Sequence, residues 1–251
     1  LLIKTLRDQL LTPLQAVSGI VEKRHTLPIL SNVLLEKKGN QLTLLATDVE
    51  IQITTSTDAS SGDGDGAITV GARKLQDILR SLPDSSEVSL VLDDKKLQLR
   101  AGKSRFTLQT LPADDFPRMA LGDNKLRSIS VTQKAFRHLL GQTQFAMASQ
   151  DVRYYLNGLL LLVDGPELKA VATDGHRLAY ASMSLENIEE GPRQEFILPR
   201  KTVIELNRLL GDSEDPLQIE LSANQVRFQF GEVVLVSKLI DGKFPDYERV
   251  I

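Results

Sequence analysis

The 251-residue chain contains no cysteine, no tryptophan and only three histidines. Without thiols there is no disulfide framework, no thiolate nucleophile and no cysteine-ligated metal. His25, His138 and His176 lie far apart, without metal-ligand spacing. Long apolar runs are missing too. The longest, such as Leu159 to Val163, fall far short of the roughly 20 residues needed to span a bilayer. Lys4, Arg7 and Asp8 interrupt the one apolar N-terminal run, which therefore does not read as a secretory signal. There is no phosphate-binding loop, dinucleotide fingerprint or Gly-x-Ser-x-Gly elbow. Gly62-Asp63-Gly64-Asp65-Gly66 hints at a calcium loop, but an EF-hand starting at Asp63 needs a glutamate where Lys74 stands. A soluble cytoplasmic protein without cofactor or metal is expected.

What is present is an ordinary globular composition, 41% hydrophobic and 25% charged, able to build real cores. The length suggests two domains at roughly 150 residues each. The chain also repeats itself. Asn32-Val33-Leu34-Leu35 matches Asn157-Gly158-Leu159-Leu160, and Ala46-Thr47-Asp48 matches Ala172-Thr173-Asp174. Ala72-Arg73-Lys74 matches Pro199-Arg200-Lys201, and Phe116-Pro117 matches Phe244-Pro245. The offsets drift slowly from 125 to 128 residues, which means one fold used twice. Each half starts with a helix: Leu10, Leu11, Leu14, Val17 and Val21 share a face, with Thr12-Pro13 as its start. The counterpart runs from Thr132 through Phe136, Leu139, Leu140 and Phe145. Strands are expected at 32–36, 41–46 and 51–55, then a second helix carrying Leu75, Ile78, Leu79 and Leu82, then strands at 87–92, 96–101 and 106–111. Helices and strands do not alternate strictly, so the fold class is α+β with helices on antiparallel sheets. The domains are expected at 1–124 and 125–251, joined by the polar linker 120–127.

Net charge is −3, too little to attract nucleic acid in bulk. Its distribution is uneven. The helical windows 4–24, 72–82, 132–148 and 200–210 hold twelve basic and four acidic residues, a surplus of eight, so the remainder carries an excess of eleven negative charges. Two readings stay open: Lys and Arg as good helix formers on solvated faces, or helices facing a polyanion.

Four segments carry a resemblance to a known family: Arg24-His25-Thr26-Leu27-Pro28-Ile29-Leu30, Gln150 through Gly158, Ala172 through Leu178, and Asp241 through Tyr247. The chain resembles the bacterial DNA sliding clamp, the beta subunit of DNA polymerase III, over the whole of its length. The resemblance implies the first two of three clamp domains, the third lying beyond Ile251. It further implies a head-to-tail homodimer closing as a ring around duplex DNA without regard to sequence. Partners would be the DNA polymerase III alpha subunit, the clamp loader and other clamp-motif proteins. No catalysis of its own is implied. By position, the resemblance makes Arg24 and Gln150 DNA contacts, with Tyr154 and Tyr155 beside them and Arg73, Arg200 and Lys201 as lesser contacts. Leu156, Thr173, Gly175, His176, Arg177, Leu178, Pro245, Arg249 and Val250 would form a groove for partner peptides. Lys74, Ile78, Leu82, Phe106 and Leu108 resemble the subunit contact.

Read as residues alone, these sites keep other meanings. The tyrosines fit strand packing as well as base stacking. Asp174-Gly175 is a good hairpin turn, and the first half has Asp48-Val49-Glu50 in its place. Ile78, Leu82, Phe106 and Leu108 fit an ordinary core. An acid–base pair of Asp174 and His176 would suit a two-domain hydrolase, but it lacks a nucleophile and a third group to orient it. A peptide-binding scaffold with no DNA role is the other alternative.

Overall fold

The computed structural model describes residues 1–23, 26–59, 61–93, 95–120, 122, 124–188 and 190–251. They form two compact units: unit 1 is Leu1–Met119 with Glu232–Val234, and unit 2 is Ala120–Gly231 with Leu235–Ile251. Unit 1 contains β1 (Leu2–Leu6), α1 (Arg7–Ser18), β2 (Asn32–Lys38), β3 (Gln41–Thr47), β4 (Ile51–Asp58), β5 (Gly66–Gly71), α2 (Ala72–Ser81), β6 (Glu87–Asp93), β7 (Lys96–Ala101) and β8 (Ser104–Pro112). The same succession follows as β9 (Lys125–Thr132), α3 (Gln133–Gly141), β10 (Gly158–Asp164), β11 (Glu167–Thr173), β12 (Leu178–Ser184), β13 (Gln194–Pro199), α4 (Arg200–Leu209), β14 (Pro216–Ser222), β15 (Gln225–Phe230) and β16 (Val233–Lys238).

Sheet order repeats as well. Unit 1 runs β1-β6-β7-β8-β5-β2-β3-β4, while unit 2 has β9-β14-β15-β16 and, separately, β13-β10-β11-β12. In unit 1 the two halves are stitched together where Thr110–Pro112 pairs with Ile68–Val70. The α+β expectation holds.

Each helix forms because its apolar residues fall on one face. α2 buries Ala72, Leu75, Ile78 and Leu79 and leaves Arg73, Lys74 and Arg80 exposed. Thr132 caps α3 by accepting from the Ala135 N–H at 3.1 Å, and Phe136, Leu139 and Leu140 go inward. In α4 the buried Glu205 is held by Arg208 at 2.7 Å, so its charge is not left alone in the core.

Several expectations are corrected. α1 begins at Arg7 and not at Thr12-Pro13; Pro13 sits inside it, buried. Gln9 folds back towards the Leu6 N–H and the Thr5 hydroxyl, and Pro13 lies buried on the same helix as Leu10, Leu14 and Val17, at the cost of the hydrogen bond its ring removes. The start of the window 4–24 belongs to β1, whose short alternation Ile3-in, Lys4-out, Thr5-in is completed by pairing with β6. The end of the expected linker 120–127 is already β9, where Arg127, Ile129 and Val131 alternate inward. Strand β5 was not anticipated. Phe145 does not continue the α3 face but lies beyond it in the short 3-10 turn Gln144–Ala146, 57% exposed. The repeat also aligns one residue later than the Asn32–Asn157 match. Leu34 faces Leu45 as Leu160 faces Val171, and Asn32 faces Gly71 as Gly158 faces Pro199. One residue matters here, because a slip of one exchanges the faces of a strand.

Candidate functional site

The β11–β12 turn of unit 2 is built by two short polar side chains. The Thr173 hydroxyl donates to the Arg177 carbonyl at 2.7 Å and accepts from the Gly175 N–H at 3.1 Å. One Asp174 carboxylate oxygen accepts from the His176 and Arg177 N–H groups at 2.9 and 3.0 Å. The other accepts from Arg177 Nε at 3.0 Å. The backbone bonds from His176 and Arg177 hold the Asp174 carboxyl at about 2, far below its usual 3.8. Asp174 is therefore committed to the turn, which removes it as a proton-transfer partner for His176. Gly175 has φ +89°, and a Cβ there would stand 3.0 Å from the Arg153 guanidinium. Both facts favour glycine, the positive φ more than the contact with the flexible end of Arg153. Arg153 is itself locked to Asp151 at 2.9 Å, and that pairing lowers the Asp151 pKa and raises that of Arg153.

Beneath the turn lies an apolar cluster of Leu160, Val171, Ile197, Phe244 and Tyr247, with Tyr155, Leu178 and Ile240 packed partly buried against it. Its counterpart in unit 1 is Leu34, Leu45 and Phe116 with Ile29 packed on them. The same positions are filled, with more aromatic surface in unit 2. Of the residues expected to form a groove, Leu156 and Thr173 are buried at 1% and 8%. Leu178 is half-buried on the cluster, whereas Gly175, His176, Arg177, Pro245, Arg249 and Val250 are exposed. Arg249 pairs with Asp246 at 2.6 Å in the 3-10 turn Tyr247–Arg249, and the Val250 N–H bonds to the Tyr247 carbonyl. Sequence reasoning missed Phe145, Arg153, Asp174 as the organiser of the turn, and Tyr247, whose ring lies 6.1 Å from that of Tyr180. The Asp174 side chain was legible from Asx-turn chemistry. The other three become visible only through contacts between distant segments. A separate cleft of about 490 Å³ lies against the same cluster, lined by Gln194, Phe196, Asn224, Leu239 and Ile240 among others, and contains none of the expected groove residues.

Among the residues expected to face DNA, Arg24 lies outside the described residues. Gln150 is exposed with φ +60°, a left-handed conformation uncommon outside glycine, in a loop closed by the Ala148 N–H on the Leu156 carbonyl at 3.0 Å. Tyr154 is 57% exposed and meets Tyr155 edge to face at 5.7 Å. Tyr155 packs on the cluster, in a 3-10 turn and not in a strand. Arg73 and Arg200 reach the Val21 and Met147 carbonyls at 3.4 Å each, and Lys201 is half-buried beside Arg200. For the subunit contact, Ile78, Leu82 and Leu108 are buried in unit 1 at 9%, 7% and 2%. Lys74 is exposed and Phe106 half-buried. Phe106 lies in Ser104–Gln109, the part of β8 that, among the described residues of unit 1, pairs with β7 alone.

Known families match both units. The DNA polymerase III beta subunit, N-terminal domain, matches residues 2–120, and the central domain of the same subunit matches residues 130–246. A crystal structure of the DNA polymerase III subunit beta from Pseudomonas aeruginosa superposes with a TM-score of 0.95 at 48% identity, covering 100% of this chain and 68% of that one. The chain belongs to the DNA polymerase III beta subunit family. Its fold is the DNA clamp fold of that family. The beta sliding clamp of Pseudomonas putida is 51% identical over 245 residues, and that of Escherichia coli K12 is 44% identical over 245 residues. In both cases the match covers 98% of this chain and 66% of the relative, so the chain spans just under two thirds of those family members. A sliding clamp from Pseudomonas aeruginosa bound to griselimycin superposes with a TM-score of 0.95 at 48% identity, covering 100% of this chain and 67% of that one.

Proposed function

We propose that the chain is the first two domains of a DNA sliding clamp, a non-catalytic processivity factor acting on DNA inside a bacterial cell. The carrying observation is the match of both repeats, in order, to the N-terminal and central domains of the beta subunit. In this reading, two three-domain subunits join head to tail through Lys74, Ile78, Leu82, Phe106 and Leu108 of unit 1, with Phe106 on a strand edge. The ring encircles duplex DNA and holds it topologically. Weak, screened phosphate contacts from Arg24, Arg73, Gln150, Arg200 and Lys201 suffice, with Tyr154 free to stack on an exposed base, and tighter ones would impede sliding. Net charge of −3 is then no obstacle, because bulk attraction is not what retains the DNA. The DNA polymerase III alpha subunit, the clamp loader and other clamp-motif proteins dock by short segments at the turn of Thr173–Leu178, with Leu178 on the aromatic cluster as the apolar floor.

Topological retention is directly testable. The subunit carrying the third domain of its relatives, loaded on nicked circular DNA, should co-elute with the circle and be lost when the circle is linearised. Retention that survives linearisation would mean grip instead of encirclement, and would overturn the reading. Replacing Arg24 and Gln150 by Ala should weaken loading; the Arg24 replacement should also reduce the log–log salt slope by roughly one unit, whereas the uncharged Gln150 should leave the slope as it is. For the groove, labelled griselimycin serves as the probe. Leu178→Ala or Pro245→Ala should weaken its binding roughly thirtyfold, the loss expected on truncating an anchor contact worth about 2 kcal/mol. Unchanged affinity in a folded Leu178→Ala protein would place the partner site elsewhere.

A further inference from the structure

Two positions that are core in unit 1 have turned outward in unit 2, and their replacements meet each other. Hydrogen bonds fix the equivalences. After α1, the Ser18 hydroxyl donates to the Leu14 carbonyl and the Val21 N–H to the Ser18 carbonyl; after α3, the Thr143 hydroxyl donates to the Leu139 carbonyl and the Ala146 N–H to the Thr143 carbonyl. Ile20 therefore corresponds to Phe145. In the β3–β4 turn, the Thr47 hydroxyl donates to the Ile51 carbonyl and Asp48 accepts from the Glu50 and Ile51 N–H groups, as Thr173 and Asp174 do in unit 2. Ile51 therefore corresponds to Arg177. Ile20 and Ile51 are 0% and 1% exposed, whereas Phe145 is 57% exposed and Arg177 lies on the surface. The Arg177 guanidinium carbon stands 5.7 Å from the centre of the Phe145 ring.

An aromatic ring left mostly in water forgoes the stabilisation that its burial would bring. What it gains here is the face contact with Arg177. Arg177 is thereby located from three directions: its backbone by Thr173 and Asp174, its Nε by the Asp174 carboxylate, and its guanidinium carbon over the Phe145 ring. Asp174 already neutralises the guanidinium charge, so Arg177 is more useful to a ligand as a fixed planar donor group than as a bare cation. We infer that Phe145 is a positioning residue of the partner groove: it holds the Arg177 guanidinium in the orientation that bound peptide segments use. The inference rests on the groove reading above and adds a residue from outside the four segments that suggested the groove.

The test is a double-mutant cycle read by anisotropy of labelled griselimycin, with melting temperature alongside. Phe145→Ala should weaken binding about twofold to fivefold, the size of an exposed cation–π contact, without lowering the melting temperature. Phe145→Tyr should bind as the parent does, because the ring face is kept. Phe145→Leu should behave as Phe145→Ala, because apolar volume alone does not orient a guanidinium. In an Arg177→Ala background, Phe145→Ala should have no further effect. The inference is overturned if Phe145→Ala binds normally, if Phe145→Leu retains full affinity, or if the loss persists undiminished without Arg177. Leu178→Ala separates the two levels. If it weakens binding while Phe145→Ala leaves affinity unchanged, only the positioning role fails; if neither changes affinity, the groove reading fails and takes this role with it.

Discussion

The two β-turns at Thr47–Ile51 and Thr173–Arg177 have the same hydrogen-bond skeleton and opposite chemical surroundings. Both use a threonine hydroxyl to close the turn and an aspartate to cap two N–H groups, and both put the third residue in the left-handed region, Val49 at φ +69° and Gly175 at φ +89°. In unit 1 the turn ends in a buried isoleucine, so its geometry serves the core. In unit 2 it ends in an exposed arginine followed by Leu178 on an aromatic cluster, so the same geometry presents side chains outward. A repeat can thus keep its backbone while one copy of a turn is released from packing. Hydrogen bonding fixes the backbone, and side-chain identity at one or two positions decides what it serves.

The largest break in this comparison should come at the equivalent end positions. Ile51→Ala is expected to destabilise unit 1 by about 2–5 kcal/mol through the cavity it leaves. Arg177→Ala should change stability by no more than about 0.5 kcal/mol, since it is a surface substitution. Thermal melting of both variants checks this, and equal losses would show that the unit 2 turn is as much core as its counterpart. A smaller effect is expected at the left-handed residue. Gly175→Val should cost about 1–2 kcal/mol, because it adds a branched side chain at positive φ and displaces Arg153, whereas Val49→Gly should raise stability slightly by relieving the same strain. Opposite signs in denaturant titrations sharpen the comparison, and like signs break it. The smallest effect is electrostatic. The Asp174 carboxyl is depressed to about 2, so its stabilisation of the turn is fully present above the ordinary value of 3.8 and is lost only as pH falls from there through about 2. An NMR titration should show the His176 and Arg177 amides moving with a midpoint near 2. A midpoint at the ordinary carboxylate value would mean the caps are weaker than the distances imply.

Much of the site was legible before any coordinates. Thr173-Asp174-Gly175 carries its turn in its side chains, and the match of Phe116-Pro117 to Phe244-Pro245 already located the residues that cover the cluster. Phe145 illustrates what was not legible. Helical spacing placed it on the inward face with Phe136 and Leu139, but α3 ends at Gly141 and the following 3-10 turn rotates Phe145 outward. Ile78, Leu82 and Leu108 were equally at home in a core or an interface by pattern. All three are buried within unit 1, where α2 packs against α1, β2 and β5 and Leu108 faces inward from β8.

The sequence by itself determined that one α+β unit is used twice, where its turns fall, and which family it resembles, because these depend on local chemistry and on order along the chain. Only the tertiary structure decided the one-residue register of the repeat, the ring face that Phe145 offers to Arg177, and which of two equivalent turns faces solvent. Those outcomes depend on contacts between segments far apart in sequence, and apolar periodicity states that a face is buried without stating against what.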